Sequence, residues 1–493
     1  MTDAAVRREG KTRSALLISF GAVSEMLMPF VRSVALAHMI SPEQFGLAIT
    51  LALAAGFSEV ITDIGLNTSA MRQESADKAS STLPTLHTIL LARAVLIGII
   101  LAAGGIPLAY LFDAPEAALS FSLLGLAAII RGFHHLEPLR MLRDFVYGPD
   151  AISGAAAHIV WTGVTIATAF VLDDYRCMLV GIIAGAIAYV VLTHLYSTER
   201  WSLGWSPEVA REALSYGAPL VPNGIALAVA SMGDRFLIGS FLGVAPLAFY
   251  NASSMAAFMP RSVVLRLLGA VAMPTFLQHG RERVTSARIV DYWGLVLSVS
   301  SSYYSLTFLC FGPFAIRLVF GENYAPDQLL VTCIALSVYM KFMITLPQPL
   351  ALSFGQTGLI LSSTIVSSLS LLSGAAAVLI EPSLWMFVLG LVAGELLAVA
   401  WAVMKSITVY GFSARLAWFG ALFPVAVLAA AHAACRSLAI DDLLTRAEIF
   451  AVACLVLAAG YAGALTLAGL PWKPDFLTRR AGAERTPAPE TMA

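Results

Sequence analysis

The chain has 493 residues, 58% of them hydrophobic and 12% charged, with a mean hydropathy of +0.81 and a formal net charge of −1. Soluble domains carry roughly 25% charged residues, so an ordinary soluble enzyme or binding domain is excluded. The near-neutral total gives no reason to expect a nucleic-acid partner.

Apolar runs long enough to cross a bilayer, about 17–25 residues, recur along the whole length, and in lipid they must be helical to satisfy their own backbone. In chain order they predict fourteen spans: 14–37, 45–65, 86–112, 116–134, 151–172, 177–198, 214–242, 246–275, 290–317, 328–352, 357–380, 383–405, 414–436 and 446–470. The first run follows Arg7, Arg8, Lys11 and Arg13 and contains Ala35-Leu36-Ala37, the outline of a signal peptide. Its length, together with Glu25 and Arg32 inside it, argues for an uncleaved first span. With the N-terminus in the cytoplasm, 20 of the 30 Lys and Arg residues fall in cytoplasmic segments, 4 in outer loops and 6 within spans. That bias fits the positive-inside rule and puts both termini in the cytoplasm. No outer loop is long enough for an extracytoplasmic enzyme domain, and the polar tail 471–493 reads as disordered.

Two stretches resemble each other. Ser19-Phe20-Gly21-Ala22, Arg32 and Ser41-Pro42-Glu43-Gln44-Phe45-Gly46 are answered by Ser215-Tyr216-Gly217-Ala218, Asp234-Arg235 and Pro246-Leu247-Ala248-Phe249-Tyr250. Gly21 to Gly217 is an offset of 196 and Gly46 to Ala248 one of 202. The repeat is therefore about six spans, an even number, and the two copies have the same orientation. The expected fold is all-α and polytopic, with an N-tail 1–13, a first lobe 14–198, a linker 199–213, a second lobe 214–405, and two further spans over 414–470.

Arginine in hydrocarbon costs at least a few kcal/mol unless it meets water, an anion or a partner. Arg32 and Arg235 occupy matching places in the two copies, each roughly 10 Å from the outer end of its span at 1.5 Å per residue. They are the first candidates for a cationic cavity, against snorkelling or, for Arg235, a pair with Asp234. Arg261 and Lys341 lie near mid-depth and follow; Arg93 and Arg266 are closer to the cytoplasmic side. Arg261 and Arg266, five residues apart, point about 140° away from one another around a helix. Glu25, Asp234 and Glu395 are carboxylates within spans, candidates for coupling or for neutralising a neighbour, and Asn223 shares a helix face with Asp234. Pro29, Pro219, Pro222 and Pro347 are candidate hinges. The five cysteines and eight histidines have no metal-ligand spacing, and no phosphate-binding loop is present, so neither metal, cofactor nor ATPase is expected, and the chain does not read as an enzyme.

Val34-Ala35-Leu36-Ala37-His38-Met39-Ile40-Ser41-Pro42-Glu43-Gln44-Phe45-Gly46, followed by Asp63-Ile64-Gly65-Leu66-Asn67-Thr68-Ser69, resembles the opening of the bacterial polysaccharide-biosynthesis transporters. These are the O-antigen-type flippases of the multidrug/oligosaccharidyl-lipid/polysaccharide exporter superfamily. Asp234-Arg235-Phe236-Leu237-Ile238-Gly239, Tyr250-Asn251-Ala252 and Met273-Pro274-Thr275-Phe276 are similar to the same family's second-lobe pattern. Ala248 departs from it, standing where the family usually has Gly. The resemblance implies alternating-access transfer of a polyprenyl-diphosphate-linked oligosaccharide across the bacterial inner membrane for O-antigen, capsule or exopolysaccharide assembly. Membrane lipids, and possible assembly proteins such as a polymerase, would be its partners. It also supplies the anion that intramembrane arginines would meet. A drug or cation antiporter and a peptidoglycan-precursor flippase of the same superfamily stay open as alternatives, and a membrane glycan polymerase or ligase more remotely.

Overall fold

The computed structural model describes residues 3–61, 79–218, 220–279, 283–353, 356–436, 438 and 442–469. The Asp63–Ser69 motif, Pro219 and the tail 471–493 lie outside the described residues. Among those described there are eighteen α-helices and no strand.

The first lobe is α1 (Asp3–Met39), α2 (Pro42–Ile61), α3 (Ala79–Leu111), α4 (Ala118–Arg131), α5 (Glu137–Met141), α6 (Gly148–Leu172) and α7 (Arg176–Leu195). A linker helix, α8 (Pro207–Gly217), leads to α9 (Leu220–Leu242), α10 (Val244–His279), α11 (Arg283–Phe320), α12 (Gln328–Ile344), α13 (Gln348–Ser353), α14 (Thr357–Ser368), α15 (Ser370–Ile380) and α16 (Leu384–Tyr410). The chain then continues through α17 (Ala414–Cys435) and α18 (Leu443–Leu467).

Over its described residues, each of the fourteen predicted spans falls on one helix or a broken pair. Eleven segments among the described residues are long and apolar enough to cross a membrane; the other three predicted spans lie on α2, α4 and α10. The chain is thus a multi-pass membrane protein. Its first helix is continuous from Asp3 and absorbs the expected N-tail. The tenth span breaks at Thr345–Pro347 between α12 and α13, where proline withholds a backbone donor.

The repeat visible in sequence is also a repeat of packing. In the first lobe α1 lies on α6, α3 on α4, α4 on α7 and α6 on α7. In the second, α9 lies on α14, α11 on α12, α12 on α16 and α15 on α16, the same span pairs shifted by six. The last two helices, α17 and α18, pack on each other and on α11, outside this scheme. Glycines set the closest crossings. A β-carbon on Gly98 of α3 would stand 2.9 Å from the Gly125 carbonyl oxygen of α4, so only the small residue lets the two backbones approach.

The linker is docked rather than loose. The Glu137 carboxylate accepts from the Thr198 N–H (2.9 Å), the Thr198 hydroxyl (2.7 Å) and the Glu199 N–H (2.9 Å). Gly204 N–H donates to the Pro84 carbonyl, and Ser206 N–H to the Thr85 hydroxyl at 3.0 Å. Trp201 stacks on His87, and Ala210 and Ala213 of α8 bury against Leu83, Leu86, Ile89 and Leu90 of α3.

Burial pushes the Glu137 carboxyl up, but hydrogen bonds from the Glu199 and Thr198 backbone and the Thr198 hydroxyl, with the Arg140 charge, outweigh it and hold the group below its usual 4.5. This folded-state shift is downward, so the stability it supplies is present above the unfolded value and is lost as pH falls below 4.5. Hydrogen exchange in the 196–206 segment, corrected for intrinsic rate, should therefore accelerate on acidification below that value. Glu137→Ala should show faster exchange already at neutral pH; unchanged protection in both experiments would contradict the docking.

Candidate functional site

The two lobes meet along α1 and α2 on one side and α9, α10 and α11 on the other. The seam is tightest at the end of the bundle away from the chain termini. There Gly46 of α2 faces the Val244 carbonyl of α10, and His38 Nε2–H donates to the Val319 carbonyl at 2.9 Å. Tyr324, in the short turn between α11 and α12, receives the rings of Phe45 (5.9 Å), Phe249 (5.5 Å) and Phe320 (6.5 Å), so one residue ties both lobes together. Phe57 and Phe112 of the first lobe both pack edge-on against Phe236 of the second. Contact continues as far as the Ser262 hydroxyl on the Met26 sulfur at 3.2 Å. Met26 is 13 residues before the end of α1, so the seam is about 20 Å deep. Closer to the termini α1 is largely exposed, at Leu16, Phe20 and Val23.

Arg32 sits within this sealed zone and is only 5% exposed. Its guanidinium lies 3.9 Å from the centre of the Trp161 ring of α6, a cation–π contact, and Nη1 donates to the Thr162 hydroxyl at 3.3 Å. The same hydroxyl donates to the Met28 carbonyl at 3.2 Å, so Thr162 does not depend on the arginine. Among the described residues, Arg32 Nε–H is buried without an acceptor, and Trp161 Nε1 and His158 Nδ1 beside it have no hydrogen-bond partner. Trp161 fits because α7 offers Gly185: a β-carbon there would come 2.9 Å from the tryptophan's own.

At the matching place in the second lobe Asp234 is buried, accepting from the Tyr250 hydroxyl at 2.7 Å and the Arg235 N–H at 2.8 Å. Arg235 is half-buried, and its Nε–H has no acceptor. About three turns beyond Tyr250 on α10, Arg261 donates from Nη2 to the Lys341 carbonyl at 2.7 Å and lies 5.0 Å from the Phe342 ring, its Nε–H again unmet among the described residues. Lys341 stands 3.6 Å from Glu395, a fully buried carboxylate that also accepts from the Ser337 hydroxyl at 2.9 Å.

Of the sequence candidates, the structure gathers Asp234, Arg261, Lys341 and Glu395 inside the second lobe and holds Arg32 inside the first. Arg32 and Arg235 therefore occupy matching depths but different surroundings. Arg93 donates to the Glu59 carbonyl at 3.4 Å, beside the Arg131–Glu59 ion pair of 2.7 Å. Glu25 is exposed, within electrostatic reach of Asp150 and His158. Arg266 is exposed, and the Asn223 side chain lies outside the described residues. Pro29 sits inside the unbroken α1, Pro222 near the start of α9, and Pro347 at the break after α12. Trp161, Thr162, His158 and Ser337 were not legible as site residues. Tyr250 was visible as part of the repeat motif, though not as the partner of Asp234.

A two-lobed bundle of membrane-spanning helices with charged side chains held inside each lobe is the fold of a membrane transporter. The structure is similar to the lipid II flippase MurJ in an inward closed conformation, with a TM-score of 0.66 at 11% identity, covering 92% of this chain and 100% of that one. It is also similar to an inward-facing multidrug resistance MATE transporter of the MOP superfamily (TM-score 0.55, 14% identity, 85% and 98% covered). In sequence it is 23% identical over 399 residues, 77% of each chain, to the succinoglycan biosynthesis transport protein ExoT of Rhizobium meliloti. The profile of the polysaccharide biosynthesis protein family matches residues 35–329, and the chain belongs to that family.

Proposed function

We propose that the chain is a flippase that moves a polyprenyl-diphosphate-linked oligosaccharide across the bacterial inner membrane by alternating access, with both termini in the cytoplasm. The cargo is destined for a surface polysaccharide and is handed on to polymerising proteins outside. One observation carries this reading. Arg32, Arg235 and Arg261, on α1, α9 and α10, each keep a buried Nε–H with no acceptor among the described residues. A buried unmet donor on a charged group costs about 1–3 kcal/mol or more, and the diphosphate is the part of such a cargo that offers anionic acceptors. Lys341 is not counted with them, because its ammonium faces Glu395.

The excess of 20 basic residues to 4 supports the orientation. Family membership and the name of the Rhizobium relative support an exopolysaccharide-type glycan. The likeness to a lipid II flippase supports a second cargo, a peptidoglycan precursor, which presents the same diphosphate. A drug-cation antiporter would need carboxylates whose charge is left for the cargo, whereas Asp234 accepts two hydrogen bonds and Glu395 already faces the Lys341 ammonium. The test is a leaflet assay: purified protein in vesicles should carry a labelled polyprenyl-diphosphate oligosaccharide between leaflets, and failure to do so overturns the reading.

A further inference from the structure

Two buried carboxylates and one partly buried ammonium come together in the second lobe, on three different helices. Asp234 of α9 is 8% exposed and Glu395 of α16 is 0% exposed. Both are electrostatic neighbours of Lys341 of α12. The Lys341 Nζ is 3.6 Å from Glu395 Oε1, longer than the 2.7–2.9 Å of a tight charge-assisted hydrogen bond. It rests on the Phe258 ring at 4.6 Å, while the lysine backbone is pinned by Arg261 Nη2 on its carbonyl at 2.7 Å. The ammonium is thus held in place by its surroundings and not locked onto one oxygen. Glu395 Oε2 is buried with no hydrogen-bond donor among the described residues.

We propose that Lys341 is a tethered cation, filling a site formed by Asp234 and Glu395 that would otherwise take a monovalent cation, alkali metal or proton, from solution. A buried carboxylate in hydrocarbon must be neutralised, and a carrier with two of them ordinarily recruits a positive charge. Here the charge is covalently part of α12 and cannot dissociate. The remaining charged or titratable groups around the cluster are Arg235, Arg261, Tyr250 and Tyr304. Arg261 is a charge neighbour of Glu395 but anchors its Nη2 on the Lys341 carbonyl, Tyr304 donates to the Ala257 carbonyl at 2.5 Å, and Tyr250 donates to Asp234, which leaves Lys341 as the cation that forms the ion pair with Glu395. Arg235 is the immediate chain neighbour of Asp234, not of Glu395. The native protein is therefore indifferent to sodium, and the site is latent.

The test is the melting temperature of the purified full chain in detergent, at fixed ionic strength, with sodium, lithium or choline as the cation and at mildly acidic and mildly alkaline pH. The wild type should melt at the same temperature in all three salts. Lys341→Met and Lys341→Gln should acquire a response. A rise of about 2–4 °C in sodium or lithium marks an alkali-cation site. A melting temperature that falls as pH rises, with no salt response, marks a proton on the orphaned Glu395, since the neutral form is then the stable one. The double variant Lys341→Met, Glu395→Gln should lose both responses and regain stability, because removing both charges spares the cost of leaving one. Wild-type stabilisation by sodium overturns the proposal, as do Lys341 variants that respond to neither cation nor pH, or a double variant that keeps the response.

Discussion

Replacing Arg32 and Arg235 together with glutamine is expected to abolish translocation while leaving the protein folded in the membrane. Each guanidinium offers a planar fork of donors that suits phosphate oxygens, and each has an Nε–H that nothing among the described residues accepts. Hydrogen bonds to charged groups contribute about 1.5–3 kcal/mol each, so losing both should lower cargo-dependent transport by roughly 10³-fold, and either single change by about 10–100-fold. Folding should survive: Thr162 retains the Met28 carbonyl, and Asp234 retains Tyr250. Lysine at both positions keeps the charge but not the fork and should restore only part of the rate. Membrane abundance and melting temperature separate this outcome from misfolding. Wild-type export by the double glutamine variant would remove the arginines from the mechanism.

Any side chain at Gly46 should hold the lobes apart at the end away from the termini. A β-carbon there would fall on the Val244 carbonyl, and because the obstacle is main chain at the start of α10 it cannot rotate away. Overpacking of this kind costs about 1–3 kcal/mol. The cost falls on the conformation with this seam closed, so the balance between open and closed forms should shift by about 10–100-fold. We expect Gly46→Ala and Gly46→Val to reduce transport sharply. A cysteine at Phe249, in a background free of native cysteines, should become open to an impermeant maleimide from that side. Gly104→Ala in α3, with nothing near its β-carbon, is the matched control and should be silent. Normal transport and unchanged labelling in both Gly46 variants would show that the seam is not a gate.

The depth of this seam bears on how the arginines act. Arg32 and Arg235 each lie seven residues, about 10 Å, from the ends of α1 and α9, inside a contact zone about 20 Å deep. In this conformation the seam shields them from the side that bears the termini. Cargo approaching from there would first meet Arg261 and the lower part of α1, and would reach the matched pair as the seam opens. The repeat-related arginines are thus placed to receive the diphosphate late in the transfer.

The spans were legible in the sequence because hydrophobicity is a local property: a run of apolar residues declares a helix whatever it packs against. The repeat was legible because small residues, Gly21 with Gly217 and Gly46 with Ala248, stand at matching places around the two arginines. Partners were not legible. Trp161 is 129 residues from Arg32 and Glu395 is 54 from Lys341, and nothing in the intervening chain encodes either contact. The break at Pro347 followed from proline's missing donor, yet Pro29 lies within a continuous helix, so the residue alone does not decide between a stop and a tolerated insertion. The docked linker escaped notice for the same reason as the arginine partners: Glu137 and Thr198 come together only when α4 and α7 are packed side by side.

The central claim is that this fold carries a diphosphate-linked glycan between leaflets, and the leaflet assay addresses it most directly. Vesicles containing the purified protein would be loaded with a fluorescent oligosaccharide on polyprenyl diphosphate, and a membrane-impermeant glycosidase or quencher would report how much reaches the outer leaflet with time. The account predicts transfer by the wild type, loss of transfer in the Arg32→Gln, Arg235→Gln variant, and much weaker transfer of the same glycan on a polyprenyl monophosphate. Equal transfer by the double variant, or of monophosphate and diphosphate cargo alike, would contradict it.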